Sequence, residues 1–342
     1  MVDFPRGIRI TTRIRTLLLL AVAWAPNSVV IASDTLDESE AIRKIERLGG
    51  IVNPHDRSPD RPVTTVEFNL GSDFGDEHVP LLKPLGNLKT LDFRHTKIIG
   101  THISGAGLKE LRGLKNLTTL SLAKTRIGDG GLKELKELEH LTTLDLSATQ
   151  ITGVGLKDLR ELKHLTTLDL SATQITAAGL KDLRDLKRLT GLNLAKCNIT
   201  SAGMKELGEL KSLMTLDLIR TRIARIGLKE LRRLTKLTSI DLGNTDITDA
   251  NLTDLKELKS LTRLDLFETQ ITDAGVEELK ELKNVTILNL NGTRITDVGL
   301  KEIRELKNLK RIYVGQTRIT NAALKELGTS RPNLYISIHD EF

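Results

Sequence analysis

Residues 141–164 read LTTLDLSATQITGVGLKDLRELKH, and residues 165–188 read LTTLDLSATQITAAGLKDLRDLKR. This 24-residue unit is written repeatedly along the chain. Its opening residue recurs at Leu117, Leu141, Leu165, Leu189, Leu213, Leu237, Leu261, Val285 and Leu309. A strict period in the range of about 20–50 residues indicates a repeat architecture, in which each unit contacts its neighbours along the array.

The unit contains two hydrophobic spacings, one in its first half and one in its second half. Positions are numbered from the opening leucine. Positions 1, 4 and 6 (Leu141, Leu144 and Leu146) fit a short strand with inward side chains. Leucines at positions 16, 19 and 22 recur at a spacing of three, which predicts a helix. One unit cannot bury these leucines alone, so stacking of units predicts an α/β solenoid with a curved parallel sheet on its concave side and helices on its convex side.

The template L-x-x-L-x-L-x-x-T-x-I-T-x-x-G-L closely resembles the leucine-rich repeat. It is most similar to the ribonuclease-inhibitor-like subclass, in which Cys, Thr or Asn fills position 9 and an ITDxGL run follows. Degenerate copies open at Val63 and Leu88, and a terminal strand begins at Leu334. The resemblance therefore covers residues 63–342 as about 11 repeats plus that strand, and it implies a right-handed solenoid that binds other molecules. It also implies a structural role for Cys197, which stands at position 9.

The N-terminal segment has the layout of a secretory signal peptide. Four arginines precede an apolar run over residues 17–25, and small residues near Ala32 offer a cleavage site before Ser33. A signal anchor or a buried strand is the alternative, although the run is shorter than the ~20 residues of a spanning helix. We therefore expect residues 1–32 to be a signal peptide of an exported bacterial protein, periplasmic, cell-surface or secreted, with no stable membrane span after cleavage.

Residues 33–62 separate this segment from the repeats. Asp34 to Gly50 places Ala41, Ile42 and Ile45 on one face, which predicts an amphipathic helix that caps the first repeat. The stretch from residue 53 to residue 62 is rich in Pro, Asp and Arg and is predicted to be a linker.

The charge of the chain argues against a nucleic-acid partner. The formal net charge is +6, and residues 1–32 contribute four arginines and one aspartate, a net +3, which leaves +3 on the remainder. A charge this small does not indicate the basic surface that nucleic-acid binding requires.

Catalytic motifs are absent from the sequence: it contains no HExxH, P-loop, GxGxxG or GxSxG pattern. Two histidine pairs are weak metal candidates, His140 with His164 and His95 with His102, and neither pair has an identifiable third ligand. We therefore predict no catalytic residue, no metal site and no cofactor.

A column of carboxylates runs along position 5 of the repeats, as in Asp145, Asp169, Asp241 and Asp265. These side chains could bridge a hard cation such as Ca²⁺, or they could serve the fold by accepting hydrogen bonds from their neighbours. The structural interpretation is favoured because Asp is common at this position in the family that the chain resembles.

The concave positions change character along the array. In the repeats from Leu141 and Leu165 they hold small polar side chains, whereas larger ones appear from Leu213 onward. The candidate partner-binding residues are Ile219, Arg220, Arg263, Phe267, Glu268, Ile287, Arg311 and Tyr313. Aromatic and arginine side chains are the usual anchors of protein interfaces, so we expect Arg263, Phe267 and Tyr313 to be solvent-accessible and within about 15 Å of one another. Drift of the terminal repeats is the alternative.

Taken as a whole, the sequence predicts a non-catalytic scaffold that binds a protein partner outside the cytoplasm. A self-associating structural component of the envelope or cell surface is the first alternative. An F-box-like intracellular adaptor is less favoured, because the roughly 30 residues before the first repeat hold one predicted helix where an F-box needs several.

Overall fold

The computed structural model describes residues 36–53, 61–68, 71–94, 103–223 and 227–338. The predicted signal peptide, its cleavage point, most of the predicted linker, and the His95 and His102 pair lie outside the described residues. Within the described ranges, no helix combines the length and the apolar character needed to cross a membrane.

The described residues contain a single sheet of 13 strands, and the strands lie side by side in chain order. The strands are β1 (Gly50–Val52), β2 (Thr65–Phe68), β3 (Thr90–Asp92), β4 (Thr119–Ser121), β5 (Thr143–Asp145), β6 (Thr167–Asp169), β7 (Gly191–Asn193), β8 (Thr215–Asp217), β9 (Ser239–Asp241), β10 (Arg263–Asp265), β11 (Ile287–Asn289), β12 (Arg311–Tyr313) and β13 (Tyr335–Ser337). Neighbours pair in parallel from β2 to β13, and the register repeats every 24 residues from β4 onward, as in Leu144 opposite Leu168. The predicted α/β solenoid with its curved parallel sheet is thereby confirmed.

Short helical segments connect the strands on the convex side. The α-helices are α1 (Glu38–Arg47), α2 (Gly105–Leu108), α3 (Asp129–Leu132), α4 (Ala177–Leu180), α5 (Ser201–Leu207), α6 (Asp249–Leu252), α7 (Asp273–Glu278), α8 (Asp297–Ile303) and α9 (Asn321–Ser330). The 3₁₀-helices are Asp76–Leu82, Lys109–Gly113, Lys133–Glu137, Gly155–Glu161, Lys181–Asp185, Lys229–Arg233, Thr253–Glu257 and Leu279–Glu281. The convex row is thus partly 3₁₀, because leucines spaced by three residues fit its three residues per turn.

The inward leucines of all repeats join one continuous hydrophobic core. Leu144, Leu156 and Leu159 of a single repeat are each 0% exposed. The polar side chain at position 9 is also buried, and its hydroxyl bonds to the backbone: Thr149 Oγ1 donates to the carbonyl oxygen of Leu146 at 2.6 Å. This bond satisfies a carbonyl group at the end of the strand, where a buried unpaired acceptor would destabilise the fold.

The N-terminal end of the array differs from the repeats. Helix α1 lies within the range that the sequence predicts, and it places Ala41 and Ile45 in the buried interior. Gly49 adopts the left-handed conformation (φ 87°) after the helix, and the chain then forms β1, which pairs antiparallel with β2. This strand is absent from the predicted all-parallel sheet. It covers the edge of β2, which would otherwise offer unpaired backbone groups.

Carboxylates also join consecutive repeats on the side where the helices begin. Asp273, at position 13, accepts from the backbone amide of Thr296 at 2.8 Å and from its hydroxyl at 2.7 Å. Asp129 binds Thr152 in the same way. The three repeats from Leu141 to Leu189 carry Gly153, Ala177 and Ser201 at this position and lack such a carboxylate.

Candidate binding surface on the concave face

The concave face carries side chains from positions 3, 5, 7 and 8 of each repeat. At position 3, Thr143 and Thr167 are in register on adjacent strands. Farther along the same column, Arg263 aligns with Ile287, and Ile287 aligns with Arg311. The predicted change from small polar to large side chains is therefore a change along one continuous surface.

The position-5 carboxylates support the turn that follows each strand. Asp145 Oδ1 accepts from the backbone amide of Ser147 at 2.9 Å, and Asp265 Oδ1 accepts from the amide of Phe267 at 3.1 Å. Asn193 makes the same bond to the amide of Ala195. Because an amide side chain serves equally well, the shared role of this column is to hold the chain at the strand end.

Phe267 turns its ring across the face toward the preceding repeat. The residue at its own position one repeat earlier is Gly243, and a Cβ atom built there would lie 2.0 Å from Cε1 of Phe267. The ring therefore occupies the space that a side chain at position 243 would fill. The absence of a side chain at Gly243 therefore leaves room for the ring.

A cavity of about 460 Å³ opens beside this ring. Its lining includes Ile219 and Phe267 at position 7 and Asp241, Asp265 and Asn289 at position 5. The last three side chains are aligned on adjacent strands. The structure thus brings together three of the predicted binding residues, Ile219, Phe267 and Glu268, around one cavity.

Burial raises the pKa of two carboxylates that line this cavity. Asp265 is 1% exposed and Asp241 is partly buried. Burial, followed by the charge of Asp265, raises the pKa of Asp241 from 3.8 to about 7. Burial also raises the pKa of Asp265, although the side-chain amide of Asn289 donates to it at 3.1 Å and opposes that change. An aspartate with a pKa near 7 changes charge within the physiological range.

Arg311 and Tyr313 lie farther along the array, next to the terminal strand. The guanidinium of Arg311 lies 5.7 Å from the ring centroid of Tyr335, and the rings of Tyr313 and Tyr335 meet edge-on at 6.5 Å. Tyr313 is 9% exposed, so the expectation that it is solvent-accessible is wrong: the added terminal strand supplies a ring that packs against it. Tyr335, 54% exposed, presents the accessible ring instead.

Arg220 lies apart from the ring of Phe267. It lines a second cavity of about 650 Å³ beside the turns, together with Asn244 and Glu268. Position 8 adopts a left-handed backbone conformation in these repeats, with φ 56° at Arg220 and φ 50° at Glu268. Glu268 lines both cavities, and its carboxylate accepts a hydrogen bond from the side-chain amide of Asn244.

Sequence reasoning missed several residues of this surface. From the sequence, Asp241 is expected only as a member of the position-5 column, and neither Asn289 nor Gly243 is a candidate. Asn291 is 7% exposed and lines the cavity as well. A signal was present in the sequence, because Gly and Asn replace the Ser of the consensus repeats at position 7, on either side of Phe267.

The remaining candidates for a reactive or metal-binding side chain are Cys197, His140 and His164. The thiol of Cys197 is buried and donates to the carbonyl oxygen of Leu170 at 3.2 Å, and burial raises its pKa, which disfavours the reactive thiolate. His140 and His164 are exposed with ring centroids 6.1 Å apart, and His164 contacts Arg188. Among the described residues, no group of three or more His, Cys, Asp or Glu side chains is arranged to hold a metal ion.

Models of the leucine-rich repeat match two parts of the sequence. One matches residues 115–175 and 139–199, and a second matches residues 257–280 and 281–303. This chain contains leucine-rich repeats. A search of curated protein sequences finds no match to the chain.

Solved leucine-rich repeat structures share the fold. An internalin (inlF) from Listeria monocytogenes is similar with a TM-score of 0.56 and 19% identity, over 82% of this chain and 87% of that one. A leucine-rich repeat protein of Leptospira interrogans gives a TM-score of 0.52 at 23% identity, over 75% and 74% of the two chains. A chain of the mouse RP105/MD-1 complex gives 0.54 at 21% identity, over 74% of this chain and 47% of that one. At these identities the likeness is one of fold.

Proposed function

We propose that this chain is a non-catalytic, exported bacterial leucine-rich repeat protein that binds a protein partner through the C-terminal half of its concave face. Its repeats would belong to the ribonuclease-inhibitor-like subclass. One observation carries the proposal: the concave columns change from small polar side chains to arginine and aromatic side chains at the place where the cavity beside Phe267 opens.

The residue preferences of protein interfaces support a binding site on the C-terminal half of the concave face. Proteins with leucine-rich repeats typically act as scaffolds for protein binding, and the similar mouse RP105 structure is a complex with MD-1. Interface anchors are enriched in Tyr, Trp and Arg and sit in desolvated pockets. The chain has only nine aromatic residues, six Phe, two Tyr and one Trp, and Phe267 and Tyr335 are placed on this part of the surface. Phe68, Phe74 and Phe93, by contrast, are buried in the first repeats.

The polar groups of the concave face favour binding over catalysis. The carboxylates of position 5 each accept a backbone hydrogen bond, and the Cys197 thiol is buried. Residues Ile219, Arg263, Phe267, Glu268, Ile287 and Arg311 would contact the partner, Arg220 would contact it at the rim, and Tyr313 would support Tyr335.

Partner capture followed by hydrogen exchange tests the location. The chain without residues 1–32 serves as bait for native envelope extract, and amide exchange is compared with and without the captured partner. We expect protection in the segments that follow β10, β11 and β12, where the concave turns lie. Protection confined to the turns after β5 and β6, or to the convex helices, would place the interface elsewhere.

Export is tested separately. The arginine-flanked apolar run predicts a mature N-terminus within a few residues of Ser33. N-terminal sequencing of protein from the extracytoplasmic fraction checks this expectation. Soluble cytoplasmic protein that keeps Met1 to Ala32 would contradict it.

A further inference from the structure

Positive charge is concentrated at the C-terminal end of the array. Residues 285–338 contain nine Lys and Arg and four Asp and Glu, a net charge of +5, whereas residues 33–284 contain 38 of each class and carry no net charge. On the convex side, cations pair with carboxylates, as in Arg304 with Glu326 at 2.6 Å. The exposed cations that form no ion pair with a described carboxylate include Arg294, Lys310, Arg311 and Arg318.

Arg311 is the member of this set that stands at position 3 on the concave face. It aligns with Ile287 on one neighbouring strand and with Tyr335 on the other, and Ile287 aligns with Arg263. We call Arg263, Ile287, Arg311 and Tyr335 the C-terminal column. Adjacent strands are about 4.8 Å apart, so the column alternates charged and apolar side chains over three such steps.

The ring of Tyr335 is a second indication of a partner. It is 54% exposed, and the guanidinium of Arg311 lies 5.7 Å from its centroid. A guanidinium that stacks on an aromatic face keeps its edge N–H groups available for a carboxylate. The other cation of the column, Arg263, lies 3.8 Å from Asp265 and keeps 37% of its side chain exposed. The column therefore presents two cations beside accessible apolar surface.

The spacing of the column fits an α-helix that lies across the strands. Arg263 and Arg311 are separated by two strand spacings, about 10 Å. Helical residues i and i+7 lie on one face about 10.5 Å apart, and one turn advances about 5.4 Å, close to one strand spacing. Side chains on one face of an extended segment repeat every ~6.6 Å and lose step with the strands sooner.

We propose that the C-terminal column docks a helix of the protein partner that carries acidic side chains at i and i+7 and an apolar side chain at i+3 or i+4. The acidic side chains bind Arg263 and Arg311, the apolar one contacts Ile287, and the next turn packs on Tyr335. The inference rests on the proposed function and adds the chemistry of the partner. Nucleic acid is the competing occupant of a basic surface, and Ile287 between the two arginines favours an amphipathic peptide over a continuous chain of phosphates.

A matched pair of helical peptides tests the proposal. The first is an alanine-based peptide of about 20 residues with Glu at i and i+7 and Leu at i+3, and the second has Gln in place of both Glu. Fluorescence anisotropy measures the affinity of each for the full chain. We expect the Gln peptide to bind at least about ten-fold more weakly and the affinity of the Glu peptide to fall as salt is added. No saturable binding of the Glu peptide, equal affinity of the two peptides, or tighter binding of a single-stranded oligonucleotide of equal charge would overturn the proposal.

Arg311→Glu is the decisive variant, and Arg318→Glu is its matched control. Both residues are exposed and lie in the same repeat, and both changes alter the net charge equally, but Arg318 stands at position 10, beyond the concave face. We expect Arg311→Glu to weaken the Glu peptide at least about ten-fold and Arg318→Glu to change its affinity less than about two-fold, because solvent and salt screen the more distant charge. A peptide with Lys in place of both Glu should bind the double variant Arg263→Glu/Arg311→Glu better than it binds the unchanged protein. Equal effects of Arg311→Glu and Arg318→Glu would show that only net charge matters and would overturn the site.

The captured partner separates this inference from the proposed function. Displacement of the partner by the Glu peptide, and not by the Gln peptide, would support both. If Phe267→Ala weakens the partner but neither peptide binds, the helix site is wrong and the binding surface stands. If Arg311→Glu weakens the Glu peptide but leaves partner binding unchanged, the partner does not dock on the column, which overturns the inference. If the partner is indifferent to Phe267→Ala, Arg263→Ala and Tyr335→Ala, the proposed function fails.

Discussion

The repeat from Leu141 and the repeat from Leu261 share a core and differ in surface. Leu144 and Leu264 both point inward and are both 0% exposed. On the concave side, Thr143 and Ser147 of the first repeat correspond to Arg263 and Phe267 of the second. The leucines that specify stacking are therefore independent of the side chains that face a partner, and a solenoid can change its surface repeat by repeat without changing its fold.

The carboxylates at position 5 also share a structural role in the two regions and differ in their surroundings. Asp169 and Asp265 both accept a hydrogen bond from the amide two residues later. Asp169 has Ser171 beside it and is partly exposed, whereas Asp265 is 1% exposed beside Phe267. Asp265 is thus more deeply buried than Asp169, and burial together with the charge of Asp265 raises the pKa of nearby Asp241 to about 7.

Core substitutions should affect both regions alike. Leu168→Ala and Leu264→Ala each remove a fully buried side chain, so each should lower the free energy of unfolding by about 2–5 kcal/mol. Lys181→Ala, on the exposed side of the convex row, should stay within about 0.5 kcal/mol. Denaturant unfolding measures all three. A cost at only one of the two leucines would show that the cores are not equivalent.

The pH dependence of the free energy of unfolding should differ in size between the contributions of Asp241 and Asp169. The pKa of Asp241 is raised, so between pH 4 and 7 the native state keeps a proton that the unfolded state has lost, and the free energy of unfolding falls as pH rises through this window. Asp241→Asn removes this term and should stabilise the protein at pH 8 by about 1–3 kcal/mol but not at pH 4. The charged neighbours Asp217, Asp265 and Arg263 remain in place.

The control for this prediction is Asp169→Asn. The pKa of Asp169 is also raised by burial, so its replacement should change stability in the same direction. We expect a smaller gain, because Asp169 has no large side chain beside it. Chemical denaturation at both pH values measures the difference, and a gain at pH 4 alone would reverse the assigned sign.

The carboxylate bridges at position 13 are present in the repeat from Leu261 and absent from the repeats that begin at Leu141, Leu165 and Leu189. Asp273→Ala removes two hydrogen bonds to Thr296 and should cost about 1–2 kcal/mol. Ala177→Asp introduces the missing carboxylate near Thr200 in a central repeat and should stabilise by about 0.5 kcal/mol or more. Thermal unfolding measures both. Destabilisation by Ala177→Asp would mean that the central repeats cannot accept the bridge.

Calcium should have no effect in either region. The position-5 carboxylates hold backbone amides, so millimolar Ca²⁺ is expected to leave the melting temperature unchanged. A cation that binds the native state would raise the melting temperature, and the rise would grow with the logarithm of its concentration above Kd. A rise of several degrees would restore the cation interpretation of the column.

The sequence carried the fold because the same leucine pattern is repeated in register, which predicts strands, stacking and core together. It left the helix type open, since leucines at Leu156, Leu159 and Leu162 suit a 3₁₀-helix as well as an α-helix. Strand β1 was not predicted, because its pairing with β2 uses backbone groups without a side-chain pattern.

The site was less predictable because it depends on contacts between repeats. Phe267 and Ile219 stood out by type, and the cavity contains both. The low exposure of Tyr313 and the hydrogen bond that Asn291 accepts arise from neighbours one repeat away, Tyr335 and Gly315. Composition at a single position does not reveal such neighbours.

Binding of the captured partner to paired variants tests the central claim most directly. Phe267→Ala should weaken binding by at least about 2 kcal/mol, which is a fall of roughly 30-fold in affinity, because a buried aromatic anchor is lost. Ser171→Arg, at the same position in the consensus half, should leave affinity unchanged, and both proteins should keep their melting temperature within a few degrees. Loss of binding with Ser171→Arg and none with Phe267→Ala would contradict the account and place the interface on the consensus repeats.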